Sequence, residues 1–322
     1  MTFSVICKRV LFLGSATALV RCGGAIMRLF LLVCVGGFSA TSFAAQGSEQ
    51  LEVVERGHRP RDKLVVRPDA GAVGRCTLEL EKVIHVGRAA KPQTTRLTME
   101  TNYSIVSSER KHGYAVEMGF SHPKSAIDAD SPLEPTQGSD EEIKTIVASG
   151  VRLARGSDGV LTESSSLLDG DAVESPSGLV AGMRHHLETT TSYRIPKRAV
   201  GLGAVWVVTS KGEDYGRATL RESTFTLTSR KGPELVLDVV ESISVLPSTP
   251  QGEPGADEAL KTLEISGQVH VEMNLGRAMP WLVTNNSQRT DVVLGSIYGM
   301  TMNQSVESRT QRIMRCDEDS AR

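Results

Sequence analysis

The chain has 322 residues, 39% hydrophobic and only 4% aromatic, with 36 basic and 38 acidic side chains. That length holds one large domain or two small ones around a well-buried core. The slight acidic excess, with no cluster of Lys and Arg, disfavours nucleic acid and anionic membrane surfaces, and so few aromatics disfavour stacking platforms for sugars or single strands.

At the N-terminus, Arg28, the apolar run LFLLVCVGGF and the small polar stretch SATSFAAQ follow in the order of a secretory signal peptide, with cleavage expected after Ala44. The run Leu29 to Phe38 is ten residues, whereas a helix crossing the bilayer needs about 20, so no membrane span is expected in the mature chain. An earlier apolar run, Val10 to Val20, precedes Arg21, which favours Met27 as the true start over Met1; both starts lead to export. Cys34 follows Leu-Leu-Val rather than a small residue and makes a poor lipid-attachment site. The expected compartment is the periplasm or the exterior.

Removing residues 1–44 leaves 32 basic against 38 acidic residues, a net charge near −6, and keeps two of the five cysteines, Cys76 and Cys316. In an oxidising compartment the expected fate is a disulfide, the alternative being two separate buried thiols. Closing a loop that contains most of the mature chain is worth about 5 kcal/mol in the chain-entropy model. Residues 45–74 read as an extended segment and 75–317 as a single β-rich domain with loops at 121–142 and 246–259.

From Cys76 onward apolar residues recur at every second position, the pattern of strands with one buried face. Cys76, Leu78, Leu80, Ile84 and Val86 share a parity, with Lys82 the exception. Leu97 to Ile105 and Tyr114 to Phe120 complete a predicted three-stranded antiparallel meander. Ser121 to Glu142, with three prolines and many acids, reads as a loop. Glu141 to Ala148 is open between a short helix and the lead-in to a hairpin over Val151 to Glu163, turning at GSDG. Ser175-Pro176 forms a cap and first-turn pair for a helix carrying Leu179, Val180, Met183 and Leu187.

Strands resume at Ala204. Leu220 to Thr228 is read with Phe225 and Leu227 on opposite faces, and the return strand Glu234 to Val245 with both faces buried at LVLDVV. A long strand follows from Leu263 to Leu275, with Gly267 as a bulge candidate. The last runs from about Val292 to Cys316, broken near Gly299, with Met300, Met302, Val306 and Met314 on the parity of Cys316 and the other parity polar. The expected fold is mainly β: a curved antiparallel sheet or open barrel with one or two short helices.

The stretch VGLGAVW, Val200 to Trp206, carries two glycines one residue apart. A dinucleotide loop needs a strand before them and a helix after, so that the helix N-terminus meets the pyrophosphate. Here IPKRA precedes and the strand-like WVVTSK follows. Gly201 and Gly203 are therefore read as turn residues with positive φ, and Trp206 as an anchor in the core.

A proline, then Val-Gly-x-Gly-Ala-x-Trp, a strand and the hairpin STFTLTSRKG together resemble a family of exported bacterial proteins of unknown function, best over Ser175 to Leu275. The resemblance implies a curved β-rich sheet loosely similar to periplasmic lipoprotein carriers, and brings no catalytic residues with it.

No other constellation carries chemistry. His185 and His186 are adjacent, which is poor metal geometry, and His58, His85, His112, His122 and His270 are scattered with no HExxH or Cys-rich spacing. No serine sits in a GxSxG elbow. Neither a cofactor, a metal nor an enzymatic activity is expected. Met99, Met118, Leu179, Met183, Met273, Met300 and Met302 could line an adaptable apolar pocket for a lipid or lipoprotein, or simply fill the core. The two functional expectations are an apolar-ligand carrier and a structural or assembly protein of the cell envelope.

Overall fold

The computed structural model describes residues 49–86, 92–109, 113–127, 150–166, 193–214, 217–246, 260–297 and 300–319. Among them there is no helix. The chain forms twelve strands: β1 (Gln50–Glu55), β2 (Val73–Val86), β3 (Gln93–Glu109), β4 (Gly113–Ile127), β5 (Val151–Arg155), β6 (Leu161–Ser166), β7 (Val205–Asp214), β8 (Arg217–Lys231), β9 (Glu234–Val245), β10 (Leu260–Asn274), β11 (Leu282–Ile297) and β12 (Met300–Asp319). All pair antiparallel in one sheet of order β1-β7-β8-β9-β10-β11-β12-β2-β3-β4-β5-β6, whose edge strands β1 and β6 do not pair with each other. The mainly β fold with a curved, open sheet is thus what the alternating pattern predicts. Both helix candidates, 141–148 and 175–187, lie outside the described residues.

Two sequential meanders, β2 to β6 and β7 to β12, meet at the β12–β2 ladder. There Cys316 faces Cys76 at a Cα–Cα distance of 4.0 Å, and the two are disulfide-bonded. The bond therefore spans neighbouring strands that lie 240 positions apart in the chain.

One end of the sheet is closed by chain. The segment 56–72 runs across it as a strap: His58 N–H donates to the Leu202 carbonyl, Val66 N–H to Ser157, Arg67 N–H to Leu275 and Gly71 N–H to Ile105. Leu64 and Val66 on this strap are buried in the same core as Leu78, Ile105, Leu153, Trp206, Leu237, Met273 and Met314. The connection 193–204 runs beside it. Arg194 links the two edges of the sheet, its Nε donating to Glu49 at 2.8 Å and its Nη1 to the Gly159 carbonyl at 3.5 Å. Its own carbonyl accepts the Trp206 indole N–H at 2.7 Å.

Several expectations are corrected. Phe225 and Leu227 share a face, as residues two apart on a strand must, and both are buried. On β9 one parity is buried (Leu235, Leu237, Val239) while Val240 is 59% exposed, so the strand has a solvent face. Gly267 pairs regularly with both neighbours; bulges fall elsewhere, for example between Leu227 and Ser229. The strand read from Val292 to Cys316 is the end of β11 and β12 up to Cys316; residues 282–291 extend β11 backward, and β12 continues to Asp319. Within 45–74, the extended segment includes a short edge strand, β1, paired to β7.

Candidate functional site

Reading the cross-strand register row by row defines the concave face from its closed end outward. The lowest row, Leu78, Met314, Val283, Val271, Leu237 and Leu227, is wholly apolar and buried. The next holds Leu80, Arg312, Asn285, Val269, Val239 and Phe225; the one above it Lys82, Thr310, Ser287, Gly267, Glu241 and Ser223. A fourth returns to a mixed character with Ile84, Ser308, Arg289, Ile265, Ile243 and Arg221. An apolar floor thus gives way to a polar belt, and the belt to a rim where Ile84, Ile243 and Ile265 flank two arginines.

Across those upper three rows stand Lys82, Arg221, Arg289 and Arg312 and, among the described side chains, one carboxylate, Glu241. Nε of Arg221 and Nε of Arg312 are buried without a hydrogen-bond partner, as is Oδ1 of Asn285, which is registered opposite Arg312. Burial lowers the Arg312 pKa from the ordinary guanidinium value to about 10; Glu241 opposes the shift and Arg221 adds to it. A buried N–H with no acceptor carries a desolvation cost of about 1–3 kcal/mol. Ser223, Ser308 and Thr219, all less than a tenth exposed, complete a lining of small hydroxyls. Chemically, the belt is a set of convergent donors with excess positive charge in a shielded place, which suits an oxyanion.

The closed end holds a second polar group, with a structural role. Tyr114 and Tyr193 share a hydrogen bond of 2.9 Å, and the Tyr114 hydroxyl donates to the Ala278 carbonyl at 3.2 Å. Arg155, 1% exposed, donates through Nη1 to the Gly159 carbonyl at 3.1 Å. Burial raises both tyrosine pKa values, well above 10 for Tyr114, and the nearby Arg155 works in the opposite direction. These groups tie β4, β5, the 193–204 connection and the β10–β11 turn together.

On the convex face of β9 and β10, His270 Nδ1 lies 2.7 Å from Asp238 and Nε2 lies 3.3 Å from Glu272, whose other oxygen accepts the Trp281 indole N–H at 2.6 Å. Among the described residues no set of three or more His, Cys, Asp or Glu is placed to hold a metal. Elsewhere the convex face is polar: Glu79, Glu307, Arg309, Gln311 and Arg315 are exposed, and Glu81–Arg96 and Glu79–Arg315 pair across strands at 2.8 and 3.3 Å. A barrel that faces lipid carries an apolar outward band; these strands carry the reverse. No helix among the described residues is long and apolar enough to cross a membrane.

The residues singled out from sequence are distributed as follows. Met99, Met118 and Met273 are at most 1% exposed and pack in the core at the closed end. Leu179 and Met183 lie outside the described residues; Met300 and Met302 open β12, where only the backbone is described. Gly203 has φ +78°, while Gly201 is held by close approach instead: an added Cβ would run into the His58 carbonyl of the strap. Trp206 is fully buried and stacks on Phe225 with ring centroids 5.6 Å apart. Arg221, Glu241 and Arg312 carry no motif in the sequence; the one local signal is that each breaks the apolar parity of its strand, as Lys82 does.

No protein-family profile and no curated protein matches the sequence. Among solved structures, the chain is similar to an outer membrane channel from Pseudomonas putida F1 at 9% identity and a TM-score of 0.20, covering 79% of this chain and 98% of that one. It is similar to OccK11 of Pseudomonas aeruginosa at 5% identity and a TM-score of 0.17, covering 79% and 99%. Likeness of this degree assigns neither architecture nor activity.

Proposed function

We propose that this chain is an exported, disulfide-bonded binding module of the cell envelope, without catalytic activity, whose concave face receives an amphiphilic ligand. One observation carries the reading: above its apolar floor the concave face becomes polar, and there the Nε–H groups of Arg312 and Arg221 are buried without an acceptor. An N–H buried without an acceptor costs about 1–3 kcal/mol, a cost that an oxyanion ligand would offset. The export reading is supported by the leader-like N-terminus and by a disulfide of the kind that persists in oxidising compartments. The polar convex face suits a protein surrounded by water.

The test is extraction of protein purified from its native compartment. Organic extraction followed by mass spectrometry is expected to recover a stoichiometric lipid, and the delipidated protein to bind a fluorescent fatty acid. Neither lipid nor fluorescent ligand binding would refute the reading and favour an assembly role in the envelope.

A further inference from the structure

We propose that Arg221 and Arg312 form an oxyanion site that holds the head group of a single-chain amphiphile, head inward, with the chain directed toward the rim. The proposal rests on the binding-module reading above and specifies the charge and the orientation of its ligand.

Three observations converge on it. The two arginines reach the concave face from β8 and β12, opposite parts of the same curved sheet, and each presents a buried Nε–H with no acceptor. An oxyanion supplies several acceptor lone pairs and suits the planar guanidinium fork. Second, Glu241 is the one described carboxylate in the belt, set against the two guanidinium groups of Arg221 and Arg312. Third, the position of the apolar surface sets the polarity of the ligand. Below the belt the floor is filled by Leu78, Leu237 and Met314, with no room for a chain. Ile84, Ile243 and Ile265, level with Arg221 and two rows above Arg312, with Val245 and Val306 one step further out, offer apolar surface toward the rim. Gly267, at the centre of the belt, keeps the space beside Glu241 and Ser287 free of a side chain.

Isothermal titration with dodecanoate, dodecyl phosphate and dodecanol tests it, since the three share a chain and differ at the head. The wild-type protein is expected to bind at least one of the two anions about tenfold or more tighter than the alcohol. Arg312→Met and Arg221→Met are each expected to weaken anion binding by about tenfold while leaving dodecanol within about twofold. The comparison of anion with alcohol on the wild-type chain needs no variant, so it decides the matter even if a substitution impairs folding. Equal affinity for alcohol and anions, or a preference that survives both substitutions, overturns the oxyanion site and leaves the binding module standing. No binding of any of the three overturns both.

Discussion

Replacing Arg312 by methionine removes a guanidinium whose pKa burial lowers to about 10. That depression corresponds to about 3 kcal/mol by which the charged form is disfavoured in the folded protein at neutral pH. The folded state holds this proton more weakly than the unfolded chain does. The cost is therefore fully present below pH 10 and is relieved only as pH climbs from there toward the ordinary guanidinium value. Methionine keeps an unbranched stem of similar length and needs no counter-charge, so Arg312→Met is expected to be more stable than wild type by about 1–3 kcal/mol. Urea unfolding near neutral pH, followed by tryptophan fluorescence with the disulfide intact, reads this as a higher midpoint at unchanged slope. Glu241→Gln should move the midpoint down, because it removes the carboxylate that offsets the two arginines. A less stable Arg312→Met variant would refute the reasoning: Arg312 would then be holding the fold together rather than waiting for a ligand.

Three further outcomes are expected. Cys316→Ser should cost about 2–5 kcal/mol, since it frees the unfolded chain and unlocks the β12–β2 seam; a urea midpoint equal to that of the oxidised wild type would contradict it. His270 has its pKa raised, first by the hydrogen bond to Asp238 and then, against a lowering from burial, by Glu272. The stability it contributes is present below about pH 6.5 and is lost as pH rises through the folded value. In Asp238→Asn an NMR titration of His270 should show a lower midpoint, and an unmoved one would remove Asp238 as the cause. Tyr114 and Tyr193, whose pKa values burial raises, should stay protonated until the protein unfolds, so that stability falls as pH rises above about 10. A tyrosinate absorbance titration in which all five tyrosines ionise before unfolding would count against that burial.

The strands were legible because their signal is local. Alternation at Cys76 to Val86, the GSDG turn and the RKGP turn each depend on a few consecutive residues, and they place β2, the β5–β6 hairpin and the β8–β9 hairpin correctly. What the sequence hid is the consequence of pairing. Nothing near Arg312 announces Arg221, which lies on a strand four places away across the sheet. Only the register brings them to the same concave face. The signal is negative: a charge stands where parity demands an apolar residue, at Arg221, Glu241 and Arg312 as at Lys82. β1 escaped because an edge strand such as QLEVVE buries almost nothing, so burial imposes no pattern on it. Gly201 shows a different limit, since its requirement comes from the strap, about 140 residues earlier in the chain, and contact at that range leaves no local mark.

The ladder between β12 and β2 also dictates when the molecule can be finished. During synthesis β2 emerges early and must wait for a partner that appears only when nearly the whole chain has been made. Until then one side of β2 offers unpaired backbone groups, and Cys76 a free thiol, to any other strand or cysteine nearby. A polypeptide stopped short of Cys316 keeps that edge open for good, so truncation at the C-terminus should yield aggregates and mixed disulfides rather than a smaller soluble sheet.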